Sequence, residues 1–151
     1  MVKSKNKYSM GYRDRGAVNL YRLSHYLYKH HAKILSKLVK YANTMIFHCF
    51  IPASVQIGNN LDLPHGGFGV VMHEDVVIGD DAIIFHNVTI GNGGARIGDR
   101  VYIGTGATII GAVIIGDDVT IGANTVVTFD VPAGSTIVGV KARLITATDQ
   151  Q

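Results

Sequence analysis

From Ile97 to Val127 an aliphatic side chain returns at every sixth residue: Ile97, Ile103, Ile109, Ile115, Ile121 and Val127. Val101, Ala107, Val113, Val119 and Thr125, small or β-branched, stand four places after the first five of these. Glycine follows the aliphatic residue directly at Gly98, Gly104, Gly116 and Gly122, with Ile110 the exception. Neither a helical period of 3.6 nor the alternation of a long strand produces a strict six. A six-residue repeat is the signature of a β-helix, in which each hexad is one short strand and a corner. No single hexad buries its own core, so the coils must stack to be stable.

The same register extends back through Ile90, Ile84, Ile78 and Met72 to Leu63 and Ile57. It slips twice. Leu63 to Met72 is nine residues, leaving three extra around His65-Gly66-Gly67-Phe68; Ile90 to Ile97 is seven, leaving one extra in Asn92-Gly93-Gly94-Ala95. Insertions of this kind bulge at corners, spare the stacked core and often build a binding surface. Twelve hexads at three per turn predict about four coils. After Val127, Asp130-Val131-Pro132-Ala133-Gly134 is expected to turn the chain out, with a last strand in Ile137–Ile145 and a polar tail over 146–151.

Ahead of the hexads lies a different kind of sequence. Residues 1–41 hold ten of the fourteen Lys and Arg and one acid, Asp14, a balance of +9; the other 110 residues carry four bases and ten acids, a balance of −6. Residues 1–16 read as a solvated arm, and from about Val18 to Phe47 the pattern is helical, with a break expected at Lys29-His30-His31. Leu20, Leu23 and Leu27, then Ile34, Leu35, Leu38, Val39, Ala42 and Ile46, form an apolar stripe expected to cap the open end of the β-helix, with peripheral contact to an anionic membrane as the alternative. The division expected is a basic arm and helical cap over 1–50, then the β-helix over 51–145. No recognised nucleic-acid motif accompanies the charge, so no nucleic-acid partner is expected. No apolar run is long enough for a membrane span, no signal-peptide h-region follows the basic start, and the single Cys49 excludes an intrachain disulfide framework, so a cytoplasmic protein is expected.

IGDDVTIGANTVV followed by DVPAGSTIVGVKARLI resembles the hexapeptide-repeat acyltransferases, whose β-helix is left-handed. Within them LPHGGFGVVMHEDVVIGDDAIIFHNVTIGNGG resembles the serine acetyltransferase branch. The likeness covers about residues 51–145. It implies an all-β, left-handed parallel β-helix with a short N-terminal helical segment, acetyl-CoA as co-substrate, an alcohol as acceptor, and a homotrimer whose sites lie between subunits.

Acyl transfer from a thioester to an alcohol needs a base for the hydroxyl proton, and histidine suits it. His65 opens the first insertion, where the wall is broken, and by resemblance matches the catalytic histidine. An Asp directly precedes that histidine in serine acetyltransferases; Pro64 stands there here, which leaves Asp62 or Glu74 to orient the imidazole. His86 lies near the Val88-Thr89-Ile90-Gly91 element that flanks the family site, and is expected to line the pocket. The resemblance places Thr105 and Ala123 against the pantetheine arm, and Lys141 and Arg143 near the phosphates. The family's Arg-His pair after Val-Thr-Leu-Gly-Gly is reduced to Arg96 in a shortened loop, so the acceptor is either L-serine, on the way to cysteine, or a sugar or surface-polysaccharide hydroxyl.

Two rivals remain at this point. A γ-class carbonic anhydrase also uses a left-handed β-helix, but its pattern includes two histidines five apart, whereas His65 and His73 are eight apart; no metal is expected. A non-catalytic solenoid is the other, since a fold alone does not establish an activity.

Overall fold

The protein is described by a computed structural model covering residues 15–139. Two helices, α1 (Gly16–Lys29) and α2 (Lys33–Phe47), precede twelve two-residue strands, β1 (Gln56–Ile57) to β12 (Thr136–Ile137). All strand pairs are parallel, and they make three ladders: face A is β2 (Val71–Met72), β5 (Thr89–Ile90), β8 (Thr108–Ile109) and β11 (Val126–Val127); face B is β1, β3 (Val77–Ile78), β6 (Arg96–Ile97) and β9 (Ile114–Ile115); face C is β4 (Ile83–Ile84), β7 (Tyr102–Ile103), β10 (Thr120–Ile121) and β12. The chain visits A, B and C in turn, so three corners, AB, BC and CA, recur in every coil.

Within each strand one side chain points in and its neighbour out, the alternation of a half-buried strand. The hexad residues fill the interior as a continuous column, from Met72, Ile84 and Ile90 through Ile103, Ile109, Ile115 and Ile121. Corner glycines let coils approach: a Cβ on Gly98 would stand 2.3 Å from Asp117 Oδ1 and 2.8 Å from Asp117 N.

The register measures both insertions. Ile97 pairs with Ile115, a regular step of 18, but Ile57 pairs with Ile78, a step of 21, and Ile78 with Ile97, a step of 19. Three residues enter at the first slip and one at the second, as the sequence spacing predicts.

Five coils are present where about four were expected. The fifth arises from bridges that extend each ladder, Phe50 to Val71 on face A, Asp62 to Ile83 on C, and Val131 to Ile115 on B. Val131 therefore stays on the solenoid and is buried; the chain does not turn out there. Its corner is short by two residues, since Ile115 to Val131 is a step of 16, and this hides it from a count in sixes. The Ile114 amide donates to Asp130 Oδ1 at 2.7 Å and holds that corner.

The open end is covered by α1, though not through the expected stripe. Ala17, Val18 and Tyr21 are the apolar residues buried there. Edge carbonyls of the first coil are satisfied by polar tips: Tyr21 donates to Val55 O at 2.7 Å, Arg22 to the carbonyls of Ile57 and Gly58, and His25 Nδ1 lies 2.7 Å from Ala53 O. Hydrogen bonds dominate because a terminal coil presents unpaired backbone groups that an apolar side chain cannot satisfy. Helices α1 and α2 join through small polar residues, Ser24 and Ser36 exchanging hydroxyl-to-carbonyl bonds of 2.9 and 2.8 Å, with Asn43 donating to Ala17 O at 3.1 Å. The break between them falls at His30–Ala32, as expected.

Candidate active site

Corner CA carries the first insertion. In its first to fourth coils the residue three places after the inward side chain has positive φ: Gly66, Asn87, Gly106 and Asn124. His65 has it too, at φ 59 and ψ 31, one place early. A left-handed non-glycine residue costs about 1–3 kcal/mol and persists where its surroundings force it. Here they do. Pro64, Gly66 and Gly67 are buried on either side, and Gly67 fills its space so closely that a Cβ would stand 2.9 Å from Leu63 Cδ1 and 3.2 Å from Cys49 Sγ.

The extra bend leaves the His65 ring exposed and facing His86, centroid to centroid 5.1 Å and edge-on at 83°. Asp62 pairs with Ile83, so His65 and His86 occupy equivalent places one coil apart. Continuing down, Ile84 pairs with Ile103 and Ile103 with Ile121, which sets Thr105 and then Ala123 below His86. Backbone bonds confirm the column: the Gly106 amide donates to His86 O at 3.1 Å and the Asn124 amide to Thr105 O at 2.8 Å. A recess of about 390 Å³ at its head is lined by His65, Phe68 and His86. His86 Nδ1 is buried with no hydrogen-bond partner among the described residues. Phe68 stacks edge-on against His48, centroids 5.2 Å apart. Phe68 is a lining residue outside the expected set; its signal is its place between Gly67 and Gly69 inside the insertion.

Asp62 lies three residues before His65 and is buried, 3% exposed, where its strand enters this corner. Glu74 and Arg96 lie elsewhere. They line a separate recess of about 770 Å³ beside corner AB, with Asp75, Gly93, Gly94 and Ile114. Within one chain the structure thus brings together Asp62, His65, His86, Thr105 and Ala123, and sets Glu74 and Arg96 apart. Lys141 and Arg143 lie outside the described residues. Cys49 is buried, and desolvation pushes its thiol up to about 12, far from a thiolate nucleophile near neutral pH.

A family model described as bacterial transferase hexapeptide (six repeats) matches residues 94–128. Serine acetyltransferase of Helicobacter pylori strain J99 is 43% identical over 141 residues, covering 86% of this chain and 80% of that protein. The chain belongs to the serine acetyltransferase family. Among solved members, the Neisseria gonorrhoeae serine acetyltransferase in complex with serine superposes with a TM-score of 0.77 at 36% identity, covering 85% of this chain and 55% of that one. A serine acetyltransferase complex with CoA gives 0.78 at 34%, with the same coverage. The chain therefore spans about half the length of these solved relatives. The shared 85% of this chain extends beyond the solenoid into the helical segment, and the parallel coils are the fold the hexad repeat implied.

Proposed function

We propose that the protein is an acetyl-CoA-dependent serine O-acetyltransferase. The observation that carries this is His65, bent out of a regular corner to face His86 at the head of the Thr105–Ala123 column, in a chain 43% identical to a serine acetyltransferase. The exposed imidazole takes the proton of the serine hydroxyl as its oxygen attacks the thioester carbonyl. Collapse of the tetrahedral adduct breaks the carbon–sulfur bond, and the departing thiolate recovers the proton from His65. The products are the acetate ester and CoA thiol, with no acyl-enzyme. Asp62 orients the imidazole. The small side chains of Thr105 and Ala123 leave room for the pantetheine arm along the corner, and Lys141 and Arg143 receive the phosphates.

Glu74 and Arg96 join His65 from a neighbouring subunit. A homotrimer of parallel prisms is supported by the exposed Ile110, Ile114, Val126 and Phe129, apolar residues off the inward register around faces A and B. In such an assembly the AB recess of one protomer meets the CA corner of the next, and Arg96 supplies the cation that a serine carboxylate needs in a closed site. The serine-bound relative favours serine over a saccharide acceptor. A free buried Cys49 and the use of acetyl-CoA favour the cytoplasm.

A thiol-release assay with acetyl-CoA against L-serine and a panel of sugars tests the proposal. Saturable turnover with serine, abolished by Arg96→Ala, is expected. Turnover with saccharides alone would overturn it.

A further inference from the structure

Helix α2 is amphipathic in an inverted sense. Ser36 and Asn43 are its buried residues, held against α1, while Ile34, Leu38, Tyr41 and Met45 recur at four- and three-residue steps on the opposite side. Ile34 is 80% exposed and Met45 78%, and the exposed Leu35 and Ile46 widen the same arc. The α2 part of the stripe expected to cap the solenoid thus points away from the protein.

One border of the arc is basic. Lys33, Lys37 and Lys40 lie along it, and with Tyr28 and Ile34 they line a recess of about 340 Å³ between α2 and corner AB, where Glu74 stands on the solenoid side. Lys40 Nζ lies over the rings of Tyr41 and Phe50, at 4.7 and 4.9 Å. From residue 15 to residue 61 the chain has no Asp or Glu, so nothing within this stretch neutralises Arg15, Arg22, Lys29, Lys33, Lys37 and Lys40.

We infer that the outer face of α2 docks on the surface of an anionic lipid bilayer. The contact is peripheral, since no helix among the described residues is long and apolar enough to cross a membrane. An apolar arc edged along one side by lysines suits a helix lying in the headgroup plane, with the side chains of Ile34, Leu38 and Met45 among the upper acyl carbons and the ammonium groups on lipid phosphates. The lysine stems extend along the apolar surface while their charges stay in the headgroup layer. Charge selects this occupant over a second copy: two such faces together would oppose lysine to lysine in a partly dried rim, whereas an anionic surface pairs with each.

Vesicle flotation of the full chain, at low and high salt, tests the inference. The wild type should float with vesicles containing phosphatidylglycerol and about tenfold less with pure phosphatidylcholine, the difference shrinking as salt rises. Met45→Glu should lower the floated fraction about tenfold while melting temperature and thiol-release activity stay unchanged, as should Lys33→Ala combined with Lys37→Ala. Failure of the wild type to float, or flotation of Met45→Glu at the wild-type level, overturns it. Concentration-dependent assembly that Met45→Glu abolishes, without flotation of the wild type, overturns it in favour of a second copy. Flotation and melting are read independently of whether the protein acetylates serine.

Discussion

Corners BC and CA are built from the same hexads and filled by different kinds of side chain. At BC, Asn59, Asp80, Asp99 and Asp117 stack coil on coil, and each of the three carboxylates accepts the backbone N–H of the residue above, at 2.7, 2.8 and 2.9 Å. Beside them Arg100 makes a bidentate pair with Asp118, two bonds of 2.8 Å, and Asn60 donates to Asp81 at 3.0 Å. The polar side chains of that corner are engaged in holding coils together. At CA the matching column is His65, His86, Thr105 and Ala123, where an insertion displaces one imidazole into the open and the last two side chains are small. A repeat protein can place reactivity where the repeat is broken and leave its regular corners to carry stability.

Breaking corner BC should lower stability and spare catalysis. Gly98→Ala drives a Cβ into Asp117, side chain and backbone together, and should cost about 1–3 kcal/mol, read as a lower denaturant midpoint with kcat unchanged below the melting temperature. A variant as stable as the wild type would show that close approach is not what glycine provides there.

Corner CA should instead show its dependence on the buried Cys49 beneath the insertion. Its folded pKa is raised, so the folded state holds the proton after the unfolded chain has lost it, and stability is full below pH 9 and falls as pH rises toward 12. The loss should be about 1 kcal/mol at pH 10, and Cys49→Ala should flatten the dependence. Tyr21, also raised to about 12 by burial, adds to the same fall from pH 10 upward. A denaturation series from pH 8 to 11 reads both, and identical profiles for wild type and Cys49→Ala would contradict the cysteine's part.

The smallest effect belongs to Arg100→Ala. The guanidinium has three carboxylates around it, Asp99, Asp117 and Asp118, which hold its pKa up, and its side chain stays partly exposed at the surface. Removing it should cost less than about 1 kcal/mol, with activity unchanged. A large loss of turnover would mean that BC is not merely structural.

Much of this arrangement was legible in the spacing. Aliphatic residues at a strict six fix which side chains point inward, and counting across the slips gives insertions of three and one residues that the register reproduces as steps of 21 and 19. The shortened corner before Val131 was not legible, because a deletion erases the period that would reveal it. Nor did the stripe of α2 disclose its direction: periodicity shows that a helix has an apolar face, and says nothing of which neighbour meets it. Here Ser24, Ser36 and Asn43 settle the matter through hydrogen bonds that no hydropathy pattern reports. The histidine was legible through its broken register and its resemblance, whereas the separation of Glu74 and Arg96 from it needed the coil geometry that assigns each residue to a corner.

The central claim is that corner CA, through His65, does the chemistry. The most direct measurement is steady-state turnover of His65→Ala with acetyl-CoA and L-serine, beside its melting curve and its mass in light scattering. Turnover should fall about 10²–10⁴-fold while melting and assembly stay as in the wild type. Wild-type turnover in the variant, or a burst that leaves an acetylated protein, would contradict the account.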